Sequence, residues 1–477
     1  MLVRRRNWCR PSWAAACAFI LLLVAVYAVV VWRAFPAGDT DIGGDYAYAA
    51  WQMSRGAVLY RDVLGQQTPL LYVLGAAVYH LWPHPDAFLV IALVVRIATV
   101  VSVWLLARAC HFGAVFAVAA AVIYMLLPMG FIFDARFEPN ILITFGGVLC
   151  MLALTRLSGR CALLAGAGCA VFVLAKLTFA PIALVLAIYL LLTRRSLAPP
   201  FILAVVGTLL AATIVGYVVI GPAYIDGAYL AHTGSTLSAA NFVTSLRYVG
   251  GVEGVTVLAA LAGALIALRQ QGPRRLLAFY LVGGLMTLGA TMSVGSLAPE
   301  MLTAEPAIAL CAALASRHAL MAWRQGRTAR PIYARVAPIL VAILVVGQFL
   351  EARDDARAVT FVQPSSGLSC AVRLLTRTAP TGLPVIAPPY AAFLAQRRLV
   401  AGLSDTFNWT IRVRRGDNVA RAQAGAVVDL LRHRRVSVVM MDDDHPLPPH
   451  VMAAIGASYT PEPSCPGMRV FRPIATS

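Results

Sequence analysis

The sequence is dominated by long apolar runs that carry almost no charge. A helix crossing the hydrocarbon core of a bilayer needs roughly 20 mostly apolar residues. Such runs fall at residues 13–32, 87–107, 113–132, 141–157, 161–176, 178–193, 200–221, 252–268, 276–295, 302–317 and 335–350. In lipid the backbone must satisfy its own polar groups, so each run predicts a helix. The expected fold class is mainly α: a polytopic membrane helix bundle of about 11 spans. A tail of ordinary soluble composition, residues 351–477, follows it.

Composition excludes two classes at once. The 477 residues are 60% hydrophobic and 13% charged, against about 45–50% and 25% in soluble domains. The chain is therefore neither disordered nor a typical soluble enzyme. A formal net charge of +18 would ordinarily suggest nucleic acid, but its placement points to sidedness instead. Arg4, Arg5, Arg6 and Arg10 precede the first run. That run is too long for a signal peptide and lacks a small-residue cleavage site, which predicts a retained anchor with a cytoplasmic N-terminus. Threading from there gives inner loops holding Arg108; Arg156 and Arg160; Arg194 and Arg195; Arg269, Arg274 and Arg275; and Arg317, Arg324, Arg327, Arg330 and Arg335. This is the positive-inside pattern. An odd number of spans places the tail on the outer side. Among 39 basic residues, Lys176 is the single lysine, and the arginine bias reads as a GC-rich, bacterial coding sequence.

The acids sort the other way. All 21 Asp and Glu residues fall on predicted outer loops, outer helix ends or the tail. Acids contribute little to topology, so the asymmetry suggests chemistry at the outer face. The alternative is that short inner loops need few acids.

Three regions result: a membrane module at 1–350, within which 36–86 is a long first outer loop with interfacial helices, and a soluble domain at 351–477. The tail reads as a small α/β domain. Strands are predicted at Val385–Ala387, Val436–Met441 and Met468–Phe471, and helices at Tyr390–Gln396 and Asn418–Arg432. The alternation suggests βαβ units with partly parallel pairing. An oxidising outer compartment permits a disulfide between Cys370 and Cys465, the tail's two cysteines. The chain carries no phosphate loop, dinucleotide fingerprint, spaced Cys/His metal set or G-x-S-x-G elbow.

The first outer loop concentrates candidate chemistry. Asp39, Asp41 and Asp45 cluster directly after the first span, with Gly43 and Gly44 between them. Asp45–Ser54 predicts a short surface helix with an acid near its start, where the dipole favours one. Pro69–Trp82 is too short to span and reads as interfacial, with Tyr72, Tyr79 and Trp82 as anchors. A carboxylate here can act as a general base or ligate a metal; the bland alternative is that Asp41 and Asp45 cap helices. Lys176 lies at membrane depth, where an ionisable group is a functional hypothesis by default; the alternative is snorkelling to the interface. Arg136 and Arg247 could bind a phosphate bidentately or satisfy neighbouring acids. His232, in a further outer loop, could reach a substrate or simply be solvated. Arg96 reads as a buried structural partner.

These residues carry a resemblance. The first loop is similar to that of GT-C glycosyltransferases that use polyprenyl-phosphate-linked sugars, in the protein-mannosyltransferase and lipid A aminoarabinose-transferase branch. Tyr46, Ala47, Ala50, Met53 and Gly56 fit that branch's helix; Tyr60, Arg61 and Asp62 fit a Tyr-Arg-Asp element; Pro69, Leu70 and Tyr72 fit a Pro-Leu-Tyr element. The branch's Asp-Glu pair is absent, so the base is either Asp41 or Asp45. Gln67-Thr68 stands where a lysine often precedes the proline. Glu138 resembles the acid of the second outer loop, with Asp134 as the alternative, and Val173–Lys176 resembles a lysine-bearing element. Residues 296–306, with Glu300 and Glu305, resemble the last outer loop. Pro389-Tyr390 and Asp405-Thr406-Phe407 resemble, more weakly, the C-terminal periplasmic domain of related bacterial proteins.

The resemblance implies a multi-pass enzyme of the bacterial inner membrane, with its C-terminal domain periplasmic. It would transfer a sugar from a polyprenyl-phosphate donor to a lipid, glycan or protein acceptor by inverting displacement. Asp41 or Asp45 would be the base and Glu138 a second catalytic acid. Asp39, Tyr46, Tyr60, Arg61, Asp62, Gln67, Tyr72, Arg136, Lys176, His232, Glu300 and Glu305 would bind substrate. No cofactor is required, and a divalent metal is compatible with the pattern without being demanded. A flippase of lipid-linked glycans, or a non-catalytic assembly subunit, is the competing reading. A flippase should show two-fold repeats and several intramembrane charges, and neither is evident.

Overall fold

A computed structural model describes residues 13–34, 42–65, 67–133, 136–231, 237–292, 298–325, 347, 350, 366–380, 382–442 and 447–474. The apolar runs are helices. They are α1 (Trp13–Ala34), α4 (Asp86–Ala109), α5 (Ala114–Leu126), α7 (Pro139–Leu154), α8 (Gly159–Val173), α9 (Ala180–Thr193), α10 (Ala198–Ile220), α12 (Ala239–Leu268), α13 (Pro273–Met286) and α14 (Glu305–Gln325). Between them lie α2 (Gly44–Ser54), α3 (Leu70–Leu81), α6 (Pro128–Phe133) and α11 (Pro222–Ile225). Four helical stretches among the described residues are both long and apolar enough to cross a bilayer: Asp86–Ala109, Arg195–Ile220, Ala239–Leu268 and Pro273–Met292. Shorter apolar helices are Ala18–Arg33 within α1, Leu70–Leu81, Ala114–Leu126, Pro139–Leu154, Gly159–Val173 and Leu177–Thr193. The predicted run 335–350 lies almost wholly outside the described residues.

Several boundaries differ from the sequence reading, each for a local reason. The run 113–132 is broken: Leu127 is extended (φ −63°, ψ 125°) because Pro128 disfavours helix at the residue before it. The run 252–268 is the second half of a 30-residue helix that begins at Ala239, where the Ser238 hydroxyl accepts the Asn241 N–H at 3.2 Å as an N-cap. Residues 302–317 start late, because Ala298–Thr303 forms a 3-10 turn ahead of α14. The run 161–176 stops at Val173, leaving Lys176 in an extended turn (φ −160°, ψ 127°).

Helix pairs α4 with α7, α8 with α10 and α12 with α14 pack side by side. Lipid offers no hydrophobic drive for this, so close approach of small residues supplies the contact. A Cβ at Gly263 of α12 would fall 1.9 Å from the Cys311 carbonyl oxygen of α14.

The C-terminal segment contributes α15 (Ser366–Thr378), α16 (Pro389–Leu394), α17 (Thr406–Arg415), α18 (Asn418–Arg432) and α19 (Pro449–Ser458). Its sheet has β1 (Val439–Asp442), β2 (Tyr459–Cys465) and β3 (Met468–Pro473) in the order β1-β3-β2. Both pairings are antiparallel, with Met440 opposite Val470 and Pro461 opposite Phe471. The expected parallel pairing survives only as isolated bridges, Ile386 to Val439 and Val385 to Leu399. Cys370 and Cys465 form the disulfide, with Cα atoms 5.7 Å apart, which ties α15 to β2. Arg397, buried, donates to the carbonyls of Ala379 (2.8 Å), Ala395 (3.0 Å) and Thr376 (3.3 Å). It thereby gathers carbonyls at the C-terminus of α15, where a cation is favoured.

This segment docks onto the first loop. Phe393 of α16 packs edge-on to Trp51 of α2, Tyr79 of α3 and Phe88 of α4, at 5.9, 5.6 and 5.5 Å between ring centroids. Such tilted contacts suit the aromatic quadrupole. The Leu64 N–H donates to the Gly402 carbonyl at 3.0 Å, the Ser404 hydroxyl donates to the Leu64 carbonyl, and Arg55 donates to Gln396 at 2.6 Å.

Candidate functional site

The site begins with two short helices that the first loop folds back on the bundle. α2 and α3 pack on each other, and Gly75 of α3 makes this possible: a Cβ there would meet the Phe137 ring at 2.5 Å and the Ala50 methyl at 2.9 Å. The second loop locks in beside them, because the Phe137 N–H donates to the Ile42 carbonyl at 2.6 Å. Glu138 follows and holds the N-cap position of α7 without a side-chain capping hydrogen bond. Its carboxylate lies 3.6 Å from the Arg136 guanidinium, both half-exposed.

Tyr46 lies in the field of three acids. Burial raises its phenol well above the ordinary value, and the negative fields of Asp45, Glu138 and Asp405, with the neighbouring Tyr72, push the same way. The Tyr46 and Tyr72 rings are 5.7 Å apart. Asp45, Tyr72, Glu138 and, from the C-terminal segment, Asp405 thus all lie within electrostatic reach of Tyr46. Asp45 sits in the first turn of α2, whose N-cap is Gly43, so it does not occupy the capping position itself.

Lys176 lies at the break that follows α8. The break after α8 leaves its side chain buried. Its ammonium donates to Asn140 Oδ1 at 2.8 Å and to the Glu300 carboxylate. Asn140 lies two residues beyond Glu138, on the first turn of α7. The start of α3 is fastened to the same break: Thr68 Oγ1 donates to the Val173 carbonyl and the Leu70 N–H to the Leu174 carbonyl, both at 3.4 Å. The Pro69–Tyr72 element, the lysine turn and the Glu138 loop are therefore neighbours.

The other expected residues divide. Tyr60, with φ at +67°, donates its hydroxyl to the Gln67 carbonyl at 2.6 Å and packs edge-on to Tyr224 at 5.9 Å, forming an aromatic wall. Arg61 and Asp62 pair with each other at 3.0 Å in an exposed turn. There the Arg61 hydrogen bond and the Val58 N–H hold the Asp62 carboxyl below its usual range. This pair lies on the surface. Glu305 is fully buried and faces Arg96 at 3.4 Å, so it belongs with that arginine rather than with Lys176. Asp39, Asp41, Asp134 and His232 lie outside the described residues.

Sequence reasoning missed Asn140 as a partner of Lys176, although it directly follows the Glu138-Pro139 pair. It also gave Asp405 no role in the site, since nothing in its spacing ties it to the first loop. Among the described residues no group of three or more His, Cys, Asp or Glu side chains converges as a metal site.

Solved structures share this architecture. ArnT from Cupriavidus metallidurans bound to undecaprenyl phosphate superposes with a TM-score of 0.68 at 15% identity, over 97% of this chain and 99% of that one. The Archaeoglobus fulgidus oligosaccharyltransferase tethered with an acceptor peptide gives 0.58 at 12%, over 96% and 74%. The mycobacterial arabinofuranosyltransferase AftD gives 0.50 at 15%, over 96% and 42%. No protein-family model matches the sequence, and no curated protein matches it. The three solved proteins are GT-C glycosyltransferases, and the chain has the fold they share.

Proposed function

We propose that this chain is a membrane glycosyltransferase that moves a sugar from a polyprenyl-phosphate donor to an acceptor at the outer, periplasmic face of a bacterial inner membrane. The observation that carries this reading is the placement of Lys176. One buried cation, the chain's only lysine, sits at a broken helix end against Asn140 and the Glu300 carboxylate, and the Pro69–Tyr72 element is hydrogen-bonded to the same break. Irregular backbone at membrane depth is tolerated where it lines a cavity. The likeness to ArnT, solved with undecaprenyl phosphate, supports the donor class; the oligosaccharyltransferase, solved with a tethered acceptor peptide, supports an acceptor held against the same fold. A lipid, glycan or protein acceptor fits equally.

In this mechanism Asp41 or Asp45 takes the proton from the acceptor hydroxyl or amine. The acceptor's lone pair forms a bond to the sugar C1, and the bond from C1 to the phosphate oxygen breaks with its electrons staying on that oxygen. Direct displacement inverts the anomeric carbon and needs no enzyme nucleophile. Lys176 neutralises the charge that grows on the departing phosphate, where a water-poor cavity strengthens the effect. Glu138 orients the acceptor, and Tyr46, Tyr72 and Tyr60 wall the sugar. The C-terminal segment packs on the first loop through α16 and brings Asp405 within electrostatic reach of Tyr46.

The test is to incubate the purified chain with a panel of polyprenyl-phosphate-linked sugars, following polyprenyl phosphate release and the product anomer by NMR. Release with an inverted anomer is expected. No consumption of any such donor, or a retained configuration, contradicts the reading.

A further inference from the structure

We infer that Glu300 is a built-in occupant of the Lys176 anion site, displaced by the lipid phosphate and returning to expel it. This rests on the glycosyl-transfer reading above. Three observations support it. First, the pair is only half satisfied. An ammonium has three donors and a carboxylate two acceptor oxygens. Lys176 uses two donors, to Asn140 and Glu300. The second Glu300 oxygen is buried and, among the described residues, has no hydrogen-bond partner. Leaving a buried polar atom unmet is costly, and a buried ion pair repays its desolvation only when its remaining atoms are satisfied.

Second, the main chain of Glu300 is anchored independently of its carboxylate. Its carbonyl accepts from Thr287 Oγ1 at 2.8 Å and Thr303 Oγ1 at 2.9 Å, and those hydroxyls are 2.8 Å apart. Among the described residues the carboxylate itself is held by Lys176. Exchange therefore needs a side-chain rotation and no movement of the 3-10 turn.

Third, the charges suit an exchange. Lys176 with Glu300 is neutral, so the empty site is balanced. A phosphate entering beside Glu300 meets one cation and one opposing anion. The donor diester carries one negative charge, while the product monoester carries roughly 1.5 to 2. The opposition is therefore greatest after transfer, when release is needed. Product release limits many enzymes, and Glu300 would accelerate it.

The chain's single lysine makes the test direct. Biosynthetic 15N-lysine labelling of the full chain in detergent gives one side-chain ammonium signal. Saturation with a C55 polyprenyl phosphate should move that signal in the wild type, and the neutral C55 polyprenol should not. Glu300→Gln should bind the phosphate about tenfold tighter or more, as expected for removing one opposing charge. Its saturated signal should coincide with that of the wild type. Lys176→Met should weaken binding. Should Glu300→Gln fail to fold, the wild-type titration decides alone. An unmoved signal at saturation, or weaker or equal binding by a folded Glu300→Gln, overturns the exchange while leaving the transferase reading standing. If the wild type binds no polyprenyl phosphate, the functional reading falls and the exchange with it.

Discussion

The backbone N–H of Leu399 donates to the Tyr48 hydroxyl at 2.7 Å, joining the C-terminal segment to α2 of the first loop. Both groups are buried. Burial pushes the Tyr48 phenol up to about 12, with the Leu399 N–H and Arg398 acting the other way. Tyr48→Phe leaves a buried N–H unmet, at a cost of about 1–3 kcal/mol. It should raise protease sensitivity across residues 379–405 while leaving the membrane helices protected. Unchanged proteolysis would show that the docking does not depend on this bond.

Arg96 and Glu305 form an ion pair at 3.4 Å with side chains 1% and 0% exposed. Arg96 also donates to the Tyr124 carbonyl at 2.8 Å and lies 3.9 Å over the Tyr124 ring. Removing one partner strands a buried charge, which costs about 3–5 kcal/mol. Arg96→Met or Glu305→Gln alone should depress folded yield sharply, whereas Arg96→Met with Glu305→Leu should recover much of it. Thermal unfolding in detergent measures this, and a double variant no better than the singles would contradict the pairing.

Cys370 and Cys465, 95 positions apart, close most of the C-terminal segment into a covalent loop. In the chain-entropy account a loop near that size contributes at most roughly 4–5 kcal/mol. Cys370→Ser with Cys465→Ser should lower the melting temperature of this segment and abolish the mobility shift between reduced and oxidised protein. Identical mobility of the oxidised and reduced wild type would exclude the bond.

Asp417 caps α18 through the Ala420 N–H at 2.9 Å and accepts Arg412 Nε at 2.9 Å. Partial burial works to raise its carboxyl, but the Ala420 hydrogen bond and Arg412 outweigh it, so the folded value lies below the ordinary one. The stabilisation is therefore complete above the unfolded carboxylate pKa of about 3.9 and fades as pH falls through the lower folded value. Asp417→Ala should cost about 1 kcal/mol at pH 7, the usual worth of an N-cap. The gap from wild type should narrow as the pH is lowered towards 3, as thermal melts at both pH values will record. A gap that widens on acidification has the wrong sign.

The membrane helices were legible because lipid enforces both their length and their apolarity. The first-loop helices were legible too, from Asp45 and Pro69 at their starts. Apolarity does not report backbone breaks, so α5 and α6 read as one run although Pro128 divides them. β2 escaped notice because Pro461 and Pro463 argue against a strand; the order β1-β3-β2 places it at the sheet edge, where proline is tolerated. Lys176 stood out as a lone lysine, and its partners did not. Asn140 and Glu300 come from different helix ends, and Asp405 comes within electrostatic reach of Tyr46 through the docking of the C-terminal segment on α2. Such convergence is set by tertiary packing and leaves no spacing pattern in the chain.

The most direct test of the site is transfer of labelled sugar from a polyprenyl-phosphate donor by wild type, Asp41→Asn, Asp45→Asn, Glu138→Gln and Lys176→Met, each confirmed as folded. Lys176→Met should lose about 100- to 1,000-fold in kcat, the scale of removing one transition-state charge contact. One of the two aspartate variants should lose at least as much, and Glu138→Gln should lose activity as well. Wild-type turnover in all four variants would contradict the site described here.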